Sequence, residues 1–144
     1  MYYEWRAALR GKQGARVAER AYLDSARARL EGMLTARPRE HFFHLRLGSV
    51  YAGLGLRAEA VREARTAMDL VPLSKDALDG SLMAYGSAAL FARAAEPDAA
   101  IKTLEEFMSR PHYPPVTATW LKLDSTWAPI RSDPRFQRLV SGGQ

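Results

Sequence analysis

The chain of 144 residues contains no cysteine. That excludes a disulfide framework, thiolate metal sites and a cysteine nucleophile. No apolar run reaches the roughly 18 residues of a membrane span, so none is expected. The first ten residues, MYYEWRAALR, lack the apolar stretch of a secretory signal. A cytoplasmic protein is the expectation. Strand-type alternation is absent. So are a G-x-S-x-G elbow, a P-loop and a G-x-G-x-x-G turn, the usual marks of nucleophilic hydrolysis and phosphate cradling.

What is present is helix-forming. The chain is 47% hydrophobic and 26% charged, the balance of a globular protein, and its length suits one domain. Gly and Pro fall between periodic segments: Gly11, Pro38, Gly53, Gly55, Pro72, Gly80, Pro97 and Pro111. This punctuation predicts helices near 2–10, 13–36, 40–53, 57–70, 75–94 and 97–109. Beyond them, prolines at 111, 114, 115, 129 and 134 predict short turns instead. One spans 116–122. Another starts after Asp133 as N-cap, with Pro134 at the first helical position.

The formal charge is +5, and all of it sits in residues 1–72. Arg6, Arg10, Lys12, Arg16, Arg20, Arg27 and Arg29 form the one candidate nucleic-acid patch. Glu19, Asp24 and Glu31 interrupt it, with Arg20–Asp24 and Arg27–Glu31 at the i,i+4 spacing that pairs charges on a helix. Stacking aromatics are not interleaved. A solvated helix face is the plainer reading.

The histidines and paired carboxylates are weak chemistry. His41 and His44 lie one turn apart, but no third ligand is nearby; the plainer reading is a solvated His41 and a packed His44. Asp76 and Asp79 follow Ser74, and acids in a first helical turn suit capping better than acid–base work. No catalytic residue, metal or cofactor is expected.

An internal repeat carries more information. Leu47, Gly48 and Tyr51 stand at the spacing L-G-x2-Y, followed by Ala60, Ala64, Ala67 and Pro72. Small Gly48 and Ala60 let two antiparallel helices approach, Leu47 and Tyr51 fill the seam, and Pro72 stops the second helix. Ala26, Leu30, Met33 and Pro38 sit at matching offsets before it. Ala88, Phe91, Ala100, Leu104 and Phe107 follow after an insertion of about six residues near 75–80. The pattern resembles the 34-residue tetratricopeptide repeat, with His44 where that family has Trp and Ala64 where a larger residue is usual.

The segments PLSKDALDG, EPDAAIKTLEEFM and LKLDSTWAPIRSDPRFQRLV resemble the C-terminal part of bacterial tetratricopeptide proteins. There the repeats often follow a kinase, adenylate cyclase or winged-helix regulator. The resemblance implies an all-α fold of antiparallel helix hairpins, stacked as a short right-handed superhelix. Units lie at about 1–38, 39–74 and 75–110, with a C-terminal cap at 111–144. The cap is expected to cover the last helix with Trp120, Leu121, Leu123, Trp127, Ile130, Phe136 and Leu139. It implies an interaction module without catalysis. The first helix of each pair would line a concave groove, here Phe42, Leu45, Ser49 and Ala52, then Leu82, Tyr85, Ala89 and Arg93. The co-chaperone type of groove holds peptide carboxylates with Lys and Asn; Leu45, Ser49, Tyr85 and Ala89 stand here instead. The expected partner is a protein or peptide, the chain's own tail, or a second copy. No small-molecule substrate or membrane is expected, and nucleic acid is the alternative through the Arg-rich first half.

Overall fold

The computed structural model describes residues 16–142. The expected helix at 2–10, the start of the one at 13–36, and Arg6, Arg10 and Lys12 lie outside the described residues. The fold is all-helical, with no strand among the described residues. Five longer helices run α1 Arg16–Ala36, α2 His41–Gly53, α3 Arg57–Leu70, α4 Asp79–Arg93 and α5 Pro97–Met108. The tail adds α6 Ala118–Leu123, a 3-10 helix Ser125–Ile130 and α7 Pro134–Val140. Each of α1 to α5 packs on the next, except that α2 also reaches past α3 to α4. No helix among the described residues is long and apolar enough to cross a membrane.

Two hairpin turns are copies of each other, 40 residues apart. Gly55 has φ +78° and Ala95 has φ +61°. Leu56 N donates to Tyr51 O and Glu96 N to Phe91 O, both at 2.9 Å, while Gly55 N and Ala95 N donate to Ala52 O and Ala92 O. This is the left-handed helix ending that returns the chain antiparallel. Glycine meets it without strain at position 55. Alanine holds the same conformation at 95 because the flanking helices pack there.

The seam of α2 and α3 needs a glycine. A methyl group on Gly48 would lie 2.8 Å from Leu90 Cδ1 and 3.3 Å from the Ala60 carbonyl. Ala60, Ala64 and Ala67 give α3 a fully buried small-residue face. On that face the Ser87 hydroxyl donates to the Ala64 carbonyl at 3.0 Å.

The apolar side chains form two clusters. Leu23, Ala26 and Leu30 of α1 meet Leu47, Val50, Tyr51, Leu54 and Ala60. The larger cluster joins α4 and α5 to the tail: Phe91, Ile101, Leu104 and Phe107 meet Leu121, Trp127, Ile130, Phe136 and Val140. The tail thus covers the last helix pair. Asp124 and Asp133 cap its turns, accepting from Thr126 N at 2.9 Å and Arg135 N at 2.8 Å. Arg135 also holds Asp133 through its guanidinium and pulls that carboxyl down to about 2.

Several expectations need correction. α4 begins at Asp79, not 75, because Asp76 Oδ1 accepts from Leu78 N and Asp79 N and closes a turn ahead of it. Asp76, not Ser74, is therefore the capping residue. Gly80 permits the entry: a methyl there would lie 2.9 Å from the main chain of Pro72 and Leu73. His41 is not solvated; its side chain is 17% exposed and faces Asp79 at 3.4 Å. Trp120 and Leu123 are 60% and 79% exposed, so these two cap residues cover nothing.

Candidate functional site

The eight stripe residues lie on α2 and α4, which pack side by side. His41 meets Asp79 at the helix starts, and Leu45 packs on Gly86 farther along. A methyl on Gly86 would come 2.7 Å from Leu45 Cδ2, so the two helices are close here too. That register brings Phe42 with Leu82, Leu45 with Tyr85, and Ser49 with Ala89 to matching levels of one face.

The eight are not equally available. Phe42 is 38% exposed and stacks its ring on His41 at 4.5 Å. Ser49 and Arg93 are exposed, and the Ser49 hydroxyl is turned back on the Leu45 carbonyl at 3.3 Å. Leu45, Ala52, Leu82, Tyr85 and Ala89 are half-buried, and all but Leu82 pack into the larger core. The face is thus an apolar floor with an aromatic lip at Phe42 and a cation at Arg93.

Tyr85 has a further neighbourhood that the spacing did not disclose. Its ring meets Phe107 at 5.4 Å and Trp127 edge-on at 5.5 Å. Burial pushes the phenol up. The tail therefore borders the α2/α4 face at Tyr85. The sequence marked Trp127 as part of the cap but not as a neighbour of Tyr85; its return onto α4 depends on the path of the loop after α5.

His44 bridges two elements rather than simply packing. Nδ1 lies 2.6 Å from Glu63 Oε2 on α3, and Nε2 lies 2.9 Å from the Pro38 carbonyl. Both ring nitrogens face acceptors. The residue ties the α1–α2 turn to α3, and that use leaves it no metal-binding face. Among the described residues no group of three His, Cys, Asp or Glu is placed to hold a metal. The Arg-rich helix is partly neutralised, since Arg27 lies 3.4 Å from Asp24 and 4.0 Å from Glu31.

Away from these residues, a cleft of about 540 Å³ opens between α3 and α5. Arg65 stands over the Phe91 ring at its floor, 5.9 Å from the centroid. Its rim carries Asp69, Glu96, Asp98 and Glu106 against Arg65 and Lys102. Asp98 is engaged by Arg135 of the tail at 2.7 Å. Compared with known proteins, the chain matches no family model and no curated sequence.

Proposed function

We propose that the protein is a non-catalytic protein–protein interaction module. In this reading its helix pairs are tetratricopeptide-like units wound into a short right-handed superhelix. The face of α2 and α4 is the groove, which takes a peptide or a surface segment of a partner, and the protein works in the cytoplasm. The observation that carries the reading is the side-by-side register of α2 and α4, which lines one face with Phe42, Leu45, Leu82 and Tyr85. The duplicated turns at Gly55 and Ala95 support the repeat. Aromatic and apolar groups that exclude water are the part of such a face that holds a partner.

The test uses the two exposed positions, whose substitution leaves the core intact. Wild type and a Phe42→Ala/Ser49→Arg variant are used as bait, and the proteins retained are compared by mass spectrometry. The variant is expected to lose partners that the wild type keeps, with unchanged helicity and melting. Identical retained sets would refute the groove.

A further inference from the structure

His112 alone among the three histidines has both ring nitrogens on main-chain carbonyls. Nδ1 lies 2.7 Å from the Arg110 oxygen and Nε2 lies 3.1 Å from the Val116 oxygen. A carbonyl oxygen only accepts, so both contacts are hydrogen bonds only when both nitrogens carry hydrogen. The ring also meets Phe107, with 4.2 Å between centroids, and an aromatic ring attracts a cation. The two carbonyls stand at the two ends of one connection: Arg110 follows α5 and Val116 precedes α6. Phe107 and Val116 are both buried in the larger core. One half-buried imidazole thus ties together the ends of the segment that brings the tail back over α4 and α5.

Among the described residues no carboxylate of α4, α5 or the tail lies within ion-pair distance of this ring. The charged side chains closest to it in sequence, Glu106 and Arg110, pair with each other at 4.0 Å. We propose that His112 is a proton-operated clasp on the tail. It is closed while the imidazole carries both protons. It loosens when one is lost, because a lone pair then faces one of the two carbonyls. The closed loop holds a proton that the open one does not need, so acid favours closure and rising pH opens it. Histidine is the side chain that ordinarily changes charge between pH 5 and 8, so a clasp built on it responds to small changes near neutrality. Phe107 also meets the Tyr85 ring at 5.4 Å, which puts the clasp one aromatic ring from the α2/α4 face. The inference stands without the interaction-module reading.

The experiment follows the full ¹⁵N-labelled chain by NMR from about pH 5 to about pH 9. The His112 ring signals are assigned by their absence from His112→Gln. Amide exchange is read at Val116, whose N–H donates to the Pro114 carbonyl inside the loop at 2.8 Å. As the ring loses its proton, protection of the Val116 amide, corrected for the intrinsic exchange rate, should fall about tenfold. His112→Phe keeps a ring against Phe107 and removes both donors, so its Val116 protection should be low and independent of pH. The wild-type step should persist at high ionic strength, since neutral carbonyls and not distant charges hold the proton. Three results each overturn the clasp: Val116 protection that does not follow the titration of the ring, a step of the same size in His112→Phe, or a wild-type step abolished by salt.

Discussion

Two glycines in helix interiors separate packing from propensity. Gly32 in α1 has nothing within 4 Å of where a methyl would stand. Gly48 in α2 would place that methyl 2.8 Å from Leu90 Cδ1, 3.3 Å from the Ala60 carbonyl and 3.4 Å from Glu63 Cβ. Leu90 is 2% exposed and has little room to turn, and the Ala60 carbonyl belongs to the opposing helix backbone. Replacing an interior helical glycine by alanine gains about 0.5–1 kcal/mol when the site is open. Overpacking a closed site costs about 1–3 kcal/mol. Gly32→Ala should therefore stabilise by about 0.5–1 kcal/mol, and Gly48→Ala should be neutral or destabilising by up to about 2.5. The propensity gain is common to both, so the difference between the variants, about 1–3 kcal/mol, reports the packing of α2 on α3 and α4. Urea unfolding followed by far-ultraviolet circular dichroism measures it. If Gly48→Ala is stabilised as much as Gly32→Ala, α2 is not in close contact with α3 and α4 at this point and the packing described above is wrong.

Trp127 is fully buried between α4 and the tail, so Trp127→Ala should cost about 3–5 kcal/mol in the same assay. A loss below about 1 kcal/mol would mean that the tail does not cover the α4–α5 pair. The Tyr51 phenol is pushed from 10.0 up to about 12, first by burial and then by its hydrogen bond to Glu31 Oε1 at 2.8 Å. Folding thus favours the neutral phenol. Its contribution is complete below pH 10 and is lost as pH rises toward 12. Tyr51→Phe should flatten the stability–pH curve across that window, and an unchanged slope would assign the alkaline loss elsewhere.

The helices were legible where sequence punctuation and packing agree. α3 is bounded by the Gly55 turn and Pro72, and α5 begins at Pro97 with its apolar face on Ile101, Leu104 and Phe107. The start of α4 was obscure because Ser74–Leu78 contains good helix formers, and only the Asp76 carboxylate diverts the backbone. The 3-10 helix falls among the short turns that the tail's prolines predict, with Pro129 inside it. At the candidate site the α2 and α4 stripes followed from helical period. The contact of Trp127 with Tyr85 did not, since it depends on a loop of irregular chain with no period to extrapolate. The same holds for His41, whose partner Asp79 lies across the α2–α4 contact.

The covered face of α5 also bears on assembly. Stacked helix pairs present an end surface much like their internal interfaces, so copies can add to one another in a single direction, and a non-closing contact of that kind grows into a filament. Such growth needs two complementary ends. Here Leu121, Trp127, Ile130 and Phe136 occupy the surface that a following helix pair would use. A neighbouring copy arriving at this end would have to strip them away before gaining any contact of its own. In the stacked-repeat reading proposed above, the tail would act as a chain terminator for assembly.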